Sequence, residues 1–498
     1  MTTARSQTGT GENLAETFSE YVPSVEARDI VSIKPRYGLL IGGEEREPLQ
    51  GGAFATIEPS SGDHLAEISE GTQADVDEAV AAARGAFEAG WRDLAPRVRA
   101  KYIFRLARLI QDRARELAVL ESIDGGKPIR ESRDIDIPLS AAHFFYHAGW
   151  ADKLEYAVPG MRTAPLGVMG QIIPWNFPVL MAAWKMAPAL ACGNTVVLKP
   201  AETTSLTALL LGEIVQEADL PPGVVNIVTG AGETGAALAA HPGVDKVAFT
   251  GSTAVGKKIA RQVAGTGRRL TLELGGKGAH VVFDDAALDQ AIEGIVDAIF
   301  FNQGHVCCAG SRLLVQEGIA DHLLGRLKQR MELLRVGDPL DKNTDVGAIN
   351  SHAQLQRITE FVEGAESEGC AIHQSGAPLP ERGFWFRPTL VTGLGGSERI
   401  AREEVFGPVL TVQTFRTEAE AVAKANATRY GLSAGVWTEK GSRILWMTQR
   451  LKAGVVWANT FNQFDAASPF GGVRESGFGR EGGRQGLEEY LQLEPAAK

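Results

Sequence analysis

The stretch Thr195-Val196-Val197-Leu198-Lys199-Pro200 decides the fold class of this chain, because it is one of four short apolar runs that alternate with helical patterns. The other three runs are Gly170-Gln171-Ile172-Ile173, Val224-Val225-Asn226-Ile227-Val228 and Lys246-Val247-Ala248-Phe249-Thr250. Strands and helices that alternate in units of this length predict a parallel sheet with right-handed crossovers. In such a sheet the ligand binds beyond the carboxyl ends of the strands, so functional residues are expected there.

The region before this block predicts smaller elements. Between residues 37 and 69, short apolar runs alternate with glycine and proline turns, which predicts a small β-hairpin region. Thr72 is predicted to cap one helix, and Pro96 to begin a longer helix that ends at Asp124-Gly125-Gly126. Residues 1–29 are rich in Thr, Ser, Gly and Glu without periodicity, and they are expected to form a flexible or loosely docked tail.

A second α/β block follows Gly275-Gly276, a pair that is interpreted as a hinge. Its helices are predicted near residues 319–334, 353–369, 418–426 and 442–451, interleaved with strands such as Val455-Val456-Trp457. The run from Gly486 to Leu493 is separate from both blocks and could pair with another subunit.

Composition argues against several classes of function. The chain has 498 residues, a formal net charge of −11 and no Lys/Arg-rich block, which argues against a nucleic-acid or anionic-membrane surface. Its apolar stretches are broken well before the length of a membrane span, and its polar N-terminus lacks a secretory signal pattern. Four cysteines are too few for a disulfide framework and show no zinc-site spacing, so a reducing, cytoplasmic location is expected.

The stretch from Phe300 to Arg312 places two cysteines on a glycine-flanked turn between a helical pattern and a short apolar run. Most free cysteines are small buried hydrophobes, and that interpretation applies to Cys307 and Cys308 as well. A thiol on a sharp turn between two packed elements can instead face a cleft and act as a nucleophile. Position alone leaves both interpretations open.

Six short motifs occur in order along the chain. They are Pro174-Trp175-Asn176-Phe177-Pro178, Lys199-Pro200-Ala201-Glu202, Phe249-Thr250-Gly251-Ser252-Thr253, Leu272-Glu273-Leu274-Gly275-Gly276-Lys277, Glu404-Val405-Phe406-Gly407-Pro408 and Pro469-Phe470-Gly471-Gly472. Together they resemble the motifs of the NAD(P)-dependent aldehyde dehydrogenase family, of the non-phosphorylating, hydrolytic type. The resemblance extends from about residue 37 to residue 490, and six motifs in sequence make it specific.

The resemblance implies an α/β fold with a Rossmann-like cofactor-binding domain, a second α/β catalytic domain and a small β oligomerisation element. It places the NAD-binding domain at residues 30–146 and 166–274 and the catalytic domain at residues 275–480. The oligomerisation element is expected at residues 147–165 and 481–498. The assembly is expected to be a homodimer or a homotetramer.

The resemblance also implies a catalytic mechanism. Cys307 would be the nucleophile that attacks the aldehyde carbon to form a thiohemiacetal. Asn176 and the backbone N–H of Cys307 would stabilise the developing alkoxide. Glu273 would activate the water that hydrolyses the resulting thioester. Lys185 and Glu481 match positions proposed to relay protons away from that base.

The cofactor site implied by the resemblance has no GxGxxG loop. Its phosphates would meet the helix start at Gly251-Ser252, where free N–H groups favour anions. Lys199 and Glu202 match residues that hold the adenosine ribose, and the Glu202 carboxylate would repel a 2′-phosphate, so NAD is favoured over NADP. Glu404 and Phe406 resemble the pair that positions the nicotinamide ribose and ring. The other implied cofactor positions are Ile172, Ile173, Pro174, Trp175, Ala201, Gly232, Phe249, Thr250, Leu274 and Gly275.

Four aromatic residues match substrate-channel positions of the family: Phe177, Trp184, Phe301 and Phe464. They predict an apolar tunnel for an aliphatic or aromatic aldehyde. Aromatic rings can also cage a quaternary ammonium group, so a betaine-aldehyde-like substrate stays open. For any single ring, an ordinary core position is the competing interpretation.

Two neighbours of the nucleophile carry separate expectations. The family usually has Gln two residues before the nucleophile, whereas this chain has His305. A histidine there could lower the pKa of the thiol if protonated, or could replace the hydrogen bonds of an amide. Cys308 is expected to point away from the substrate.

Three other functions compete with aldehyde oxidation to the carboxylic acid. A CoA-acylating relative would lack the base that Glu273 supplies, and a phosphorylating dehydrogenase fits the chain length and motif set less well. A non-catalytic protein that retains the fold would lose nucleophile, base or oxyanion residues, and all three are present. A small-molecule aldehyde is the expected partner, and no metal site is predicted.

Overall fold

A computed structural model describes residues 22–376 and 378–495, and the strands in that part of the chain form four sheets. In chain order the strands are β1 (Arg36–Tyr37), β2 (Leu39–Ile41), β3 (Glu44–Arg46), β4 (Ala53–Ile57), β5 (His64–Ser69), β6 (Met161–Pro165), β7 (Val168–Ile172), β8 (Thr195–Lys199), β9 (Val225–Ile227), β10 (Lys246–Thr250), β11 (Arg269–Glu273), β12 (Ala279–Val282), β13 (Arg312–Gln316), β14 (Ala371–Gln374), β15 (Thr389–Thr392), β16 (Val409–Phe415), β17 (Ser433–Trp437), β18 (Val455–Ala458), β19 (Gly477–Phe478) and β20 (Leu491–Pro495). Two of the four sheets are large and correspond to the two α/β blocks.

The first large sheet has eight strands in the order β19-β11-β10-β7-β8-β9-β2-β3. Strands β7 to β11 run parallel to their neighbours among themselves, as the alternation of strands and helices predicts. Every residue of β8 is buried, because apolar clusters cover both faces of the sheet. Strand β19 joins the edge of this sheet in antiparallel pairing with β11. It therefore extends the first sheet with residues from the predicted catalytic domain, 275–480.

The second large sheet has seven strands in the order β14-β15-β16-β13-β12-β17-β18. Its strands are parallel except for the antiparallel edge pair β14 and β15. The cysteine turn leads directly into β13, which lies in the middle of this sheet. The turn that carries Cys307 and Cys308 is thus anchored on a central strand.

The two remaining sheets are small. One has the order β1-β5-β4 and contains the predicted hairpin as the antiparallel pair β4 and β5. The other consists only of β6 and β20, which pair antiparallel from Leu491 opposite Pro165 to Pro495 opposite Met161. The terminal run that was expected to pair with another subunit therefore pairs first with a strand of its own chain.

Thirteen helices of eight or more residues occur within the described ranges 22–376 and 378–495. They are α1 (Gln73–Ala86), α2 (Pro96–Asp112), α3 (Ala114–Gly125), α4 (Ile137–Ala148), α5 (Pro178–Ala191), α6 (Leu206–Glu217), α7 (Gly232–Ala240), α8 (Thr253–Val263), α9 (Leu288–Phe300), α10 (Ala320–Glu332), α11 (His352–Ser367), α12 (Glu418–Asn426) and α13 (Gly441–Thr448). Shorter helical segments are Arg28–Ile30, Phe87–Trp91, Ile129–Glu131, Ser132–Asp136, Leu154–Ala157, Phe301–Gly304, Glu317–Ile319, Arg399–Arg402, Arg474–Ser476 and Gly483–Glu488. Across these same ranges, no helix combines the length and the apolarity that a membrane crossing requires.

One helix prediction is confirmed and another is wrong. Thr72 caps α1 in a capping box with Asp75, as predicted. The single helix expected from Pro96 to Gly125 is instead two helices, α2 and α3, separated at Arg113. Arg113 leaves the helical conformation at φ −98° and ψ 18°. The apolar stripe continues on both sides of this residue, so periodicity alone does not reveal the break.

The predicted flexible tail is only partly covered, because residues 1–21 lie outside the described residues. In its last part, residues 22–29, only Glu26 is buried, so that part of the tail is docked at one point. Glu26 is buried and forms ion pairs with Arg115 and Lys342. These charge contacts fix the segment against the body of the protein.

Candidate active site

One cavity of about 650 Å³ is lined by all three residues that were predicted to perform the chemistry, Cys307, Glu273 and Asn176. Glu273 ends β11, and Asn176 lies in the turn between β7 and α5. Cys307 lies between α9 and β13 of the second large sheet. Two elements of the first sheet and one of the second therefore bring the three side chains to the same space.

The turn that carries Cys307 has an unusual backbone conformation. Asn302 and Gln303 have positive φ angles of 46° and 52°, which residues other than glycine rarely adopt. The Gln303 side chain donates to the carbonyl oxygens of Gly126 at 3.3 Å and Ala348 at 2.9 Å. These bonds stabilise the turn from outside the cavity.

Glu131 supports the same turn. Its carboxylate is buried and accepts a hydrogen bond from the backbone N–H of Asn302 at 2.9 Å. The Asn302 side chain in turn donates to the carbonyl oxygen of Asn176 at 2.8 Å. Gly304 packs so closely against the Gly407 carbonyl that a Cβ at Gly304 would clash with it. The nucleophile turn is thus fixed before any ligand binds.

The Cys307 thiol is half-buried in the cavity wall. Contact with the Cys308 thiol, together with burial, raises the pKa of Cys307 well above its ordinary value. The thiol is therefore protonated at neutral pH and needs a base to become a nucleophilic thiolate. Cys308 is buried beside Cys307 and is one of the residues that line the cavity. Its Sγ lies 3.9 Å from Asn462 Oδ1, which keeps it there.

Glu273 carries a carboxylate without a partner. It is 5% exposed, and neither of its oxygens has a hydrogen-bond partner among the described residues. Burial, and then the nearby Glu481 carboxylate, raises the pKa of Glu273 well above its usual range. Gly471 makes room for it, since a Cβ there would lie 2.7 Å from Glu273 Oε1. A carboxylate in this state is suited to accept a proton near neutral pH.

Asn176 presents an amide beside the nucleophile turn. Its Nδ2 donates to the carbonyl oxygen of His305 at 2.7 Å. The amide nitrogen carries a second hydrogen, which this bond leaves available. The side chain is buried, so its orientation is fixed by the turn that it contacts.

Lys185 and Glu481, predicted as a proton relay, form a buried ion pair. The Lys185 carbonyl oxygen accepts a hydrogen bond from the Gln171 side chain at 2.8 Å. Glu481 exchanges two backbone hydrogen bonds with Phe470. Because the Glu481 charge raises the pKa of Glu273, the ion pair lies within electrostatic reach of that carboxylate.

Gly275 and Gly276 have a packing role that explains both glycines without a hinge. A Cβ on Gly275 would clash with the Glu404 carboxylate, and one on Gly276 would lie 2.5 Å from the Cys307 carbonyl oxygen. The Gly276 N–H donates to Glu404 at 3.0 Å. Burial raises the pKa of Glu404 to about 7. This glycine pair lets Glu404 and the nucleophile turn approach the same backbone.

The predicted cofactor residues fall into two groups, of which the first lines the cavity. Its members are Pro174, Trp175, Thr250, Gly251, Ser252, Leu274, Gly275, Glu404 and Phe406. Ser252 caps α8, since its hydroxyl accepts the N–H of Val255 at 3.3 Å. Within the described chain, the hydroxyls of Thr250 and Thr253 have no hydrogen-bond partner. The start of α8 therefore offers free polar groups to an anion.

The second group of cofactor residues is absent from the cavity lining. It contains Ile172, Ile173, Lys199, Ala201, Glu202, Gly232 and Phe249. Lys199 Nζ lies 3.6 Å from the Glu202 carboxylate, and the Glu202 side chain is 53% exposed. A Cβ on Gly235 would contact both Lys199 and Ile172, so α7 packs on the ends of β7 and β8. A Cβ on Gly232 would meet nothing within 4 Å.

All four aromatic residues predicted for the substrate channel line the cavity: Phe177, Trp184, Phe301 and Phe464. Phe177 and Phe301 stack with ring centroids 6.2 Å apart. Trp184 lies 6.3 Å from Phe464 and 5.3 Å from Phe470. Phe470 belongs to the motif Pro469-Phe470-Gly471-Gly472, but it is not among the four residues predicted to line the channel.

His305 is buried, and burial lowers its pKa to about 3, so the ring is neutral. Its ring packs 4.8 Å from Trp175 and 5.8 Å from Phe406. In the described part of the chain Nε2 has no hydrogen-bond partner. A neutral ring carries no positive charge that would lower the pKa of the Cys307 thiol. The ring instead supports two aromatic side chains of the cavity wall.

Comparison with known proteins identifies the family, because the model of the aldehyde dehydrogenase family matches residues 47–495. The chain belongs to the aldehyde dehydrogenase family. An aldehyde dehydrogenase of Emericella nidulans is 43% identical over 474 residues, which cover 93% of this chain and 95% of that protein. Retinal dehydrogenase 2 of Homo sapiens is 43% identical over 468 residues, covering 91% of this chain and 90% of that protein. The solved NAD+ complex of an aldehyde dehydrogenase from Bacillus cereus has a TM-score of 0.90 at 40% identity, covering 93% of this chain and 96% of that chain.

These similarities confirm the predicted family, α/β fold class and oxidoreductase class of this aldehyde dehydrogenase. Sequence reasoning nevertheless missed residues that shape the cavity. Lys127 lies 4.3 Å from the Phe177 ring centroid and is paired with Asp136 and Glu121. A buried lysine has no distinctive sequence signal. By contrast, Asn302 before a glycine turn is a signal for positive φ that could have been used.

Proposed function

We propose that this aldehyde dehydrogenase oxidises an aldehyde to the carboxylic acid with NAD+, through a covalent intermediate on Cys307. The observation that carries the proposal is that Cys307, Asn176 and Glu273 line one cavity. The reaction requires a nucleophile, a hydrogen-bond donor for an oxyanion and a base. Cys307, Asn176 and Glu273, in that order, have side chains of these types.

In the first half-reaction the Cys307 thiol loses its proton to a base, and its sulfur bonds to the aldehyde carbon. The aldehyde oxygen becomes an alkoxide, to which Asn176 Nδ2 and the backbone N–H of Cys307 donate. Loss of one such donor costs on the order of 10²–10³ in rate. The chemistry that NAD+ supplies when bound is acceptance of a hydride. Cys307 is then acylated as a thioester.

In the second half-reaction Glu273 removes a proton from the water that attacks the thioester carbonyl. The carbon–sulfur bond breaks and the acid leaves as its carboxylate, while one proton of the water restores the Cys307 thiol and the other is on Glu273. Burial, and then the Glu481 carboxylate, raise the pKa of Glu273, and this supports the role because the carboxylate accepts a proton more readily than an exposed one. The adjacent Lys185–Glu481 pair would pass the proton onward.

The residues around the start of α8 fit NAD. The unpartnered hydroxyls of Thr250 and Thr253 and the free N–H groups of the helix would hold the phosphates. Lys199 and Glu202 would hold the adenosine ribose, and Glu404 with Phe406 would hold the nicotinamide ribose and ring. The exposed Glu202 carboxylate supports NAD over NADP, because it would repel a 2′-phosphate. An aldehyde dehydrogenase structure at 40% identity is an NAD+ complex.

The assembly and location are further parts of the proposal. An isolated two-stranded sheet is marginally stable in water, which supports a homodimer or homotetramer built on β6 and β20, within residues 147–165 and 481–498. The NAD-binding and catalytic domains are proposed at 30–146 with 166–274 and at 275–480. All four cysteines are free thiols, which suits a reducing cytoplasm. Light scattering on the intact chain and on a chain truncated after residue 490 would test the assembly.

The activity is tested by following NADH formation with aliphatic, aromatic and quaternary ammonium aldehydes, each with and without CoA. Turnover without CoA is expected, with free carboxylate as product. Cys307→Ala should lose at least about 10³-fold of the rate, whereas the matched control Cys370→Ala should not. If Cys307→Ala oxidised aldehydes as fast as the intact chain, the nucleophile assignment would be wrong. Strict CoA dependence would favour the acylating alternative, and no turnover on any aldehyde would favour the non-catalytic one.

A further inference from the structure

The indole of Trp184 contributes its ring to the cavity wall while its N–H donates to His143 Nε2 on α4. Trp184 is 6% exposed and His143 is fully buried. The two rings meet edge to face, with centroids 5.4 Å apart and an interplanar angle of 84°. His143 does not line the cavity, so it acts on the cavity only through Trp184.

His143 packs against His147, one turn further along the same helix, while its own Nδ1 has no hydrogen-bond partner among the described residues. The carbonyl oxygen of His143 accepts a hydrogen bond from His147 Nδ1 at 2.8 Å, and the two imidazoles stack with centroids 6.0 Å apart. Because His143 Nε2 accepts from the indole, the ring hydrogen of this neutral imidazole must be on Nδ1. Burial, and then His147, lowers the pKa of His143, which keeps the ring in the accepting form.

The bond matters because Trp184 has no second acceptor for its N–H in the described hydrogen-bond network. Its remaining ring contacts are to Phe464 and Phe470, which offer no acceptor atom. A buried donor without a partner is costly, so an indole that loses His143 is expected to turn its N–H towards the water-accessible cavity. That rotation would narrow the space between Trp184 and Phe464.

We propose that His143 is a positioning residue that fixes the Trp184 indole and thereby sets the width of the aldehyde channel. The proposal rests on the assignment of this cavity as the aldehyde site. According to this proposal, His143 controls selectivity for substrate size through Trp184, without contacting the substrate.

The test measures kcat and KM with a short aliphatic aldehyde and a bulky aromatic aldehyde for the holoenzyme variants. His143→Phe should raise the KM of the bulky substrate about 3- to 10-fold relative to the short one, the factor of one net hydrogen bond. The kcat for the short aldehyde should stay within about twofold, since no reacting group is changed. His143→Gln, which keeps an acceptor, should restore most of the original selectivity.

Two controls separate positioning from general damage. In a Trp184→Phe background the donor is already gone, so His143→Phe should change selectivity no further. His280→Phe replaces another buried histidine beside a tryptophan, Trp437, that does not line the cavity, and should leave selectivity unchanged. If His143→Phe does not fold, the selectivity of His143→Gln is compared with that of Trp184→Phe instead.

Unchanged selectivity in His143→Phe, or an equal effect of that change with and without the indole, would overturn the proposal. Phe177→Leu distinguishes this failure from a failure of the proposed function. If Phe177→Leu alters selectivity while His143→Phe does not, the channel stands and His143 is irrelevant to it. If neither variant alters selectivity, the cavity is not the aldehyde channel, and both proposals fall.

Discussion

Asp136 and Glu273 are both buried carboxylates in the wall of the same cavity, but they differ in whether a cation pairs with them. Asp136 is paired with the buried Lys127, whereas neither oxygen of Glu273 has a partner in the described chain. Burial raises the pKa of both groups. The ion pair of Asp136 therefore stabilises the cavity wall, whereas the unpaired carboxylate of Glu273 is free to take up a proton.

The Lys127 cluster builds the wall in several directions at once. Its ammonium group pairs with Asp136 and Glu121 and lies over the Phe177 ring. Glu121 also accepts the backbone N–H of Val179 at 3.3 Å, at the start of α5. The cluster thus ties the cavity residues Asp136 and Phe177 to the start of α5 through one cation.

Replacing the unpaired carboxylate gives the largest expected effect. Glu273→Gln should lower kcat by about 10²–10⁴-fold, because the base for hydrolysis is lost. The variant should unfold at the same temperature as the original or higher, since an unpaired buried acid is removed. Steady-state kinetics and a thermal melt measure the two quantities. Normal turnover of Glu273→Gln would contradict the role of Glu273 as base. Strong destabilisation of this variant would contradict the description of its carboxylate as unpaired.

Removing the partner of the paired carboxylate should have the reverse signature. Lys127→Met leaves Asp136 and Glu121 buried without their cation, and the free energy of unfolding should fall by about 3–5 kcal/mol. Urea unfolding at neutral pH measures this loss. The double change Lys127→Met with Asp136→Leu should recover part of it. If Lys127→Met is as stable as the original chain, the cluster does not build the wall.

The oxyanion donor is expected to affect rate without affecting binding. Asn176→Ala should lower kcat by about 10²–10³-fold with KM little changed, because its amide acts on charge that develops in the transition state. Parallel kinetics on Asn226→Ala, a buried asparagine outside the cavity, control for general loss of packing. A rise in KM at constant kcat would instead make Asn176 a ground-state binding residue.

Glu404 is an intermediate case and should give the smallest effect. It accepts one N–H from Gly276, and burial raises its pKa to about 7 from an unfolded value near 4.3. A raised pKa contributes stability that is complete below about pH 4.3 and is lost as the pH rises through about 7. Glu404→Gln should therefore melt with the original chain near pH 5 and about 1–2 °C above it near pH 8. Melting curves at both pH values check this, and a constant difference would contradict it.

How far the sequence predicts this molecule depends on whether a feature leaves a local pattern. Strand β10 matches its predicted bounds, and β8 ends one residue before the predicted Pro200, because a fully buried parallel strand is a continuous apolar run. The break at Arg113 leaves no such mark, since the apolar stripe continues through it. Cys307, Glu273 and Asn176 were found through motifs, and their convergence is a property of the fold. His143 and Lys127 were missed because a buried polar side chain is defined by its partners, which lie elsewhere in the chain.

The central claim is that Cys307 carries the acyl group and Glu273 removes it. The most direct measurement is a rapid-mixing experiment on Glu273→Gln with NAD+ and excess aldehyde, followed by peptide mass spectrometry of the quenched protein. A burst of about one NADH per subunit and an acyl adduct that persists on Cys307 are expected. A burst with no adduct on Cys307, or an adduct on Cys308 instead, would contradict this claim.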